Sequence, residues 1–262
     1  MRSWLACLVL GLGAVLATAA PAAADELQDV LSAKKLRAGI CLDTEPIGFR
    51  DAQGQPQGYD VDVAKLLASK LGVELEIVEV LGSTRIPMLL SKKIDIIVCN
   101  ITATLERAKA IDFSFPYLRV GIKLVVQKDE HITGFGDLKG KKVIVGRGTT
   151  GEVMMKQRAP DNEFIYVDTN SNAILLLRQH KADAYIEDSS NIDYIAKTYP
   201  DQLVALPEVY SSDSITFGIR KDNPEFLRWL DMFASIYITS GTYSEYYRKW
   251  WGSDPPPLHS IW

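Results

Sequence analysis

Residues 85–118 read RIPMLLSKKIDIIVCNITATLERAKAIDFSFPYL, and the segment IDIIVCN at 94–100 decides the fold class. Its apolar run is continuous rather than alternating, and polar residues bound it, the pattern of a strand buried on both faces in a parallel sheet. The exit, Asn100-Ile101-Thr102, then lies at a carboxyl edge, the edge at which open α/β sheets hold ligands. Arg107 follows across the turn and brings a cation to that edge.

Working outward, the flanking sequence alternates strand and helix patterns: LRAGIC, GYDVDVAKLLASKLG, VELEIVEV, RIPMLLSKK, then IDIIVCN. Such βαβ alternation argues for a sheet with helices on its faces. In the first helix Val61, Ala64, Leu67, Ala68 and Leu71 share one side at three- and four-residue steps, and Gly72 stops it. A second series of the same kind runs from IKLVVQK through KKVIVG, GEVMMKQRA, FIYVD, NAILLLRQHK, ADAYIE and NIDYIAKTY. Two series imply two α/β lobes. The crossings near 118–121 and 212–218 read as strands, so a two-strand hinge is expected, with the last helices returning to the first lobe. The expected division is 25–119 with 215–262 for lobe 1 and 120–214 for lobe 2. The tail DPPPLHSIW is expected to lie along the surface.

The chain has 262 residues, 47% of them hydrophobic, enough to furnish two real cores. Residues 1–24 carry Arg2, an apolar stretch from Trp4 to Ala17 and a small-residue ending at Ala22-Ala23-Ala24, the pattern of a cleaved secretory signal. Cleavage near Ala24 would place the remainder in the periplasm and move the formal net charge from −4 to −5. That acidity makes nucleic acid a poor partner. Cys41 and Cys99 without a nearby histidine do not resemble a metal site, and no cofactor is expected.

Four polar clusters follow strand patterns. Arg107 follows the third strand of the first lobe. Arg147-Gly148-Thr149-Thr150-Gly151 follows KKVIVG and opens a helix, so unpaired N–H groups there can meet an anion. Glu187 and Asp188 follow ADAYI, and Asp43, Thr44 and Glu45 follow the first strand. An arginine, a helix N-terminus and an aspartate converging on one cleft would receive a zwitterion. Each also has a plain structural alternative: Arg107 paired with Glu106 or Asp112, Thr149 as a helix start, and Asp188 as the cap of the helix that begins at Ser189.

LERAKAIDFSFPYL resembles the ERxxxxxFSxPY segment of the family 3 periplasmic solute-binding proteins, the polar amino-acid receptors of ABC importers. GYDVDVAKLLASKLG is similar to their GFDVDLAxxIAxxLG, DLKGKKVIVGRGTTGE to their DLKGKxVGVxxGTT, and TYSEYYRKWWG to their GTYxxIxxKWFG. The resemblance implies a type II periplasmic-binding-protein fold, each lobe a mostly parallel sheet flanked by helices. It also implies that Arg107 clamps a ligand carboxylate with the backbone N–H groups of Thr102 and Thr150. Asp188 would take the ammonium with Thr102 Oγ and the Asn100 carbonyl. Basic-amino-acid members place an acid at the position of Cys41 and aromatic rings at those of Thr44 and Gly82, which disfavours a basic ligand. Ser83-Thr84-Arg85-Ile86-Pro87 resembles the TRxP segment of the glutamate and aspartate receptors, so Arg85 is expected to reach an acidic side chain; its plain alternative is an exposed arginine at a helix start. Cys41 stands where a second arginine is often found and Asn170 where a histidine can sit, which keeps a smaller acid, an amide or another polar ligand open. The family's strand order makes Cys41 and Cys99 neighbours, either as a disulfide or as free thiols.

The expected function is therefore a non-enzymatic, monomeric receptor that closes over one polar, acidic amino acid and engages an inner-membrane ABC permease transiently. The alternatives are a receptor for a neutral ligand such as glutamine, or a cyclohexadienyl dehydratase-like enzyme. His131, His180 and His259 follow no strand at the cleft, no nucleophile–base pair is visible, and Glu187, a candidate general acid, is expected to point away from Asp188 along its strand.

Overall fold

The computed structural model describes residues 25–258; the expected leader lies outside them. Thirteen strands and eight helices follow in chain order. The first lobe's sheet is built from β1 (Lys35–Ile40), β5 (Glu74–Glu79), β6 (Ile96–Thr102), β7 (Ile111–Val120) and β13 (Asp213–Arg220) in the order β5-β1-β6-β13-β7. A small sheet of β2 (Asp43–Thr44), β3 (Gly48–Arg50) and β4 (Pro56–Gln57) extends it. The second lobe's sheet takes β8 (Ile122–Gln127), β9 (Lys142–Gly146), β10 (Glu163–Val167), β11 (Ala184–Asp188) and β12 (Leu203–Ala205) in the order β10-β9-β11-β8-β12.

Both sheets are parallel through their first three strands and antiparallel beyond. The antiparallel ladders arise because β7 runs through Gly121 directly into β8, and β13 returns from the second lobe to pair with β7 and β6. Two strands thus cross between lobes. At Gly121 an added Cβ would sit 2.4 Å from the Ser211 carbonyl oxygen, so this crossing has no room for a side chain.

The helices are α1 (Glu26–Ala33), α2 (Tyr59–Leu71), α3 (Arg85–Leu90), α4 (Thr150–Arg158), α5 (Asn170–Arg178), α6 (Ser189–Thr198), α7 (Pro224–Thr239) and α8 (Thr242–Trp251). In α2, Asp60 and Asp62 occupy the favourable first turn, and Gly72 ends the helix in the left-handed conformation. Its Val61, Ala64, Leu67, Ala68 and Leu71 are buried in the core shared with Phe226 and Leu230 of α7. Leu258 of the proline-rich tail joins that core and Tyr243 donates to the Pro256 carbonyl, so the tail is anchored rather than only laid along the surface.

The central strands explain why IDIIVCN reads as a continuous apolar run. Ile96 and Val98 face one core layer while Ile97, Cys99 and Ile101 face the other. In the second lobe Ala184 and Ile186 of β11 face one layer and Tyr185 the opposite one. Each fully buried aliphatic residue of this kind contributes roughly 1.5–3 kcal/mol. Two rigid central strands therefore carry their polar exits to the same cleft.

Candidate functional site

The β6 exit is not regular strand. Asn100 sits at φ 42°, in the left-handed region, and the β6–β13 register shifts in this stretch. The Asn100 side chain reaches across the cleft, where Nδ2 donates to Asp188 Oδ2 at 2.6 Å. Arg85, read from sequence as either an exposed helix start or a specificity residue, is 5% exposed and lines the cleft. Its Nη1 donates to the Cys99 carbonyl at 2.6 Å and the Asn100 carbonyl at 3.4 Å, while Nε is buried with no protein partner. Burial, helped by the like charge of Arg107, lowers its pKa to about 10 against the opposing pull of Asp188 and Glu187.

Cys41 and Cys99 are joined as a disulfide with Cα atoms 5.0 Å apart, and both line the cleft. The bridge ties the β1 exit to β6. Arg107 pairs with neither Glu106 nor Asp112, which bind Lys109 and Lys221. Its guanidinium donates to Thr102 O at 2.7 Å and, across the lobes, to Gly148 O at 2.8 Å. Arg107 is not itself among the residues lining the cleft, whereas Thr102 is. Burial depresses its pKa, and Asp188, Asp213 and Glu187 oppose that.

On the facing wall Asp188 occupies the N-cap position of α6 but makes no side-chain cap bond. The plain capping alternative fails here because the carboxylate turns into the cleft, where Oδ2 takes Asn100 and Oδ1 is buried without a protein partner. Glu187, expected to point away from Asp188, lines the same cleft. Its Oε2 accepts from the Tyr185 hydroxyl at 3.2 Å and its Oε1 from the Asp188 N–H at 3.1 Å. Burial pushes both carboxyls up. For Asp188 the neighbouring Glu187 and Asp213 add to it; for Glu187 the bonds from Asp188 N–H and Tyr185 only partly oppose it. The signal for Tyr185 was available, because strand period two places it on the face of Glu187.

Thr149 and Thr150 line the cleft at the α4 start. The Thr149 hydroxyl accepts from Glu152 N–H at 3.1 Å and donates to Gly146 O at 2.9 Å, so its side chain serves as the cap. Beside it, Gly148 at φ +76° comes so close to the first lobe that an added Cβ would lie 3.0 Å from Gly82 O. Asn170 lines the cleft as well. Its N–H donates to Asp43 Oδ2 at 2.8 Å and its Nδ2 to Thr44 Oγ1 at 2.6 Å, both across the lobes. Its Oδ1 accepts from Asn191 and from Tyr185, so the side chain acts as a tie between lobes with one Nδ2 hydrogen left over. Asp43 is itself pushed up by burial.

Across one cleft, Arg85 of the first lobe thus faces the buried carboxyls of Glu187 and Asp188 on the second, while the first lobe also contributes Asp43 and the second Arg147. Residues 36–253 match the bacterial extracellular solute-binding proteins, family 3. The chain belongs to that family. Among its relatives, the glutamine-binding protein of Geobacillus stearothermophilus is 33% identical over 218 residues, covering 81% of this chain and 83% of the relative. The ABC transporter glutamine-binding protein GlnH of Bacillus subtilis is 30% identical over 239 residues, covering 88% and 86%. Among solved structures, the ancestral amino acid-binding protein AncCDT-1, a precursor of cyclohexadienyl dehydratase, aligns with TM-score 0.81 at 35% identity, covering 86% of this chain and 98% of its own. The family 3 member described here shares the two-lobe α/β architecture of that neighbour.

Proposed function

We propose that this protein is the extracytoplasmic receptor of an amino-acid ABC importer, closing its lobes on one free polar L-amino acid and delivering it to the inner-membrane permease. The observation that carries the reading is a set of buried polar atoms in the cleft without protein partners: Asp188 Oδ1 and Asn100 Oδ1 as acceptors and Arg85 Nε as donor. Buried polar groups in native proteins are almost always hydrogen-bonded. A ligand ammonium supplies donors to the first two. A ligand carboxylate suits Arg107 and the N–H groups of Thr102 and Thr150 at the other end. Binding stabilises the closed form by bridging both lobes, and closure is what a permease reads.

For the side chain, a neutral amide such as that of glutamine fits better than an acid. Arg85 Nη1 is already engaged by two carbonyls, and the wall includes the carboxyls of Asp43 and Glu187. An amide oxygen accepts from Arg85 Nε while its NH₂ donates to a carboxylate; a second ligand carboxylate would face like charge. Two relatives named as glutamine-binding proteins support this choice. The test is calorimetry against the common amino acids after unfolding and refolding to strip carried-over ligand. Glutamine is expected to bind at least tenfold more tightly than glutamate; the reverse order would return the reading to an acidic ligand, and no amino-acid binding at all would end it.

Glu187 motivates a second reading. A buried carboxyl held towards its protonated form in a cleft is a candidate general acid, and the AncCDT-1 precursor relation points to dehydration. Incubation with prephenate discriminates: phenylpyruvate would favour the enzyme, and unchanged prephenate favours the receptor.

A further inference from the structure

Behind the cleft, on the far side of β6 from the ligand, lies a charged group that the receptor reading leaves unused. Asp60, in the first turn of α2, is 0% exposed. Its Oδ2 accepts from the Asn100 backbone N–H at 2.8 Å and its Oδ1 from the Tyr117 hydroxyl at 2.9 Å. Tyr117 stacks against Phe217 with ring centroids 4.5 Å apart, and Tyr59, next to Asp60, donates to the Tyr117 carbonyl at 2.9 Å. The carboxylate is therefore held rigidly, and one oxygen is aimed at one peptide.

That peptide needs holding. Asn100 sits at φ 42°, a left-handed conformation that asparagine adopts more readily than other non-glycine residues but that still has to be fixed for its side chain to aim one way. From the other direction Arg85 Nη1 grips the Cys99 and Asn100 carbonyls. The Asn100 segment is thus clamped by a buried anion on its N–H and a buried cation on its carbonyls. The outcome of the clamp is the aim of the Asn100 side chain, which meets Asp188 Oδ2 at 2.6 Å from the opposite lobe.

We propose that Asp60 is a positioning residue for the ligand ammonium, acting through Asn100: it fixes the left-handed turn that points the Asn100 amide at Asp188. This rests on the amino-acid-receptor reading for the ligand, though not for the clamp itself. The charge that bears on Asp60 is Arg85 of α3; the other groups facing it are Tyr117 of β7 and Tyr237 of α7, with Tyr59 of its own helix. Burial pushes the Asp60 carboxyl up to about 7, against the hydrogen bonds from Tyr117 and Asn100 and the charge of Arg85. Its protonation therefore falls in an accessible pH range.

The experiment compares full-length wild type, Asp60→Ala and the isosteric Asp60→Asn, which keeps the fold should alanine lose it. In ligand-free protein the Asn100 amide resonance is followed between pH 5 and 9 on the order of one unit per step. It is expected to titrate near neutrality in wild type and to be flat and displaced in Asp60→Asn. An Asn100 amide that titrates identically in both overturns the clamp. Calorimetry then uses L-glutamine and glutaramic acid, the same molecule without its amino group. Asp60→Ala is expected to weaken glutamine about tenfold or more, the scale of one hydrogen bond to a charged group, while leaving glutaramic acid within a factor of about two. Equal losses for both would overturn the ammonium role as a general structural effect. Absence of heat with every amino acid in wild type would overturn the receptor reading alone, since the amide titration reads the clamp without ligand.

Discussion

β6 and β11 occupy the same place, third in the order of their sheets, and both end at the cleft, yet they deliver opposite chemistry. The β6 exit is gripped by Arg85 and Arg107 through its carbonyl groups, whereas the β11 exit turns the carboxyls of Glu187 and Asp188 into the cleft. The first wall is also pinned covalently by Cys41–Cys99, and among the described residues the second has no such bridge. The difference teaches that this architecture sets where a wall stands, while a few exit residues set its sign and stiffness.

The largest test of that contrast is the pin. A bridge closing a loop of 58 residues contributes about 4 kcal/mol in the chain-entropy account. The Cys41→Ser/Cys99→Ser double variant should lose stability of that order in chemical denaturation, and the denatured wild type should present neither cysteine to a thiol reagent. Two titratable thiols would remove the asymmetry.

Next come the charges themselves. Arg107→Ala and Asp188→Ala should each weaken amino-acid binding by roughly 2–5 kcal/mol, the usual cost of truncating one partner of a buried charged pair. Calorimetry finding near-wild-type affinity for either would break the opposed-walls picture on that side.

The buried carboxyls of both lobes should also show in pH. The carboxyls of Asp43, Asp60, Glu187 and Asp188 are all pushed up by burial, Asp60 to about 7. Because the native state holds protons that the unfolded state has released, their contribution is fully present below the ordinary carboxyl range and is lost as pH rises through their raised values, about 7 for Asp60. Ligand-free protein should therefore melt at lower temperature at pH 8 than at pH 5, and Asp60→Asn should flatten the slope. A melting temperature rising over that window would contradict the assignment.

The smallest effect belongs to the ties. Asn170→Ala keeps the backbone bond to Asp43 but removes the side-chain bonds to Thr44, Tyr185 and Asn191, each net worth about 1 kcal/mol. Affinity should drop several-fold through poorer closure while the preference among ligands stays unchanged; a changed preference would make Asn170 a ligand contact after all.

The sequence alone was sufficient for the two-lobe α/β class, the buried central strands and the ordered family segments, because burial on both strand faces and helix periodicity are written locally in residue type. It also singled out the strand exits, since polar residues ending apolar runs have few other uses. What it left open was direction. Arg85 was open to exposure, yet it lies buried against the Cys99 and Asn100 carbonyls. Asp188 as a cap and Glu187 turned outward each depended on what stands opposite. Only the tertiary structure decided these, because a side chain at an element's end chooses between its own backbone and a partner from the other lobe, and the partner is distant in sequence. The left-handed turn at Asn100, held by Asp60 from 40 residues away, is such a choice.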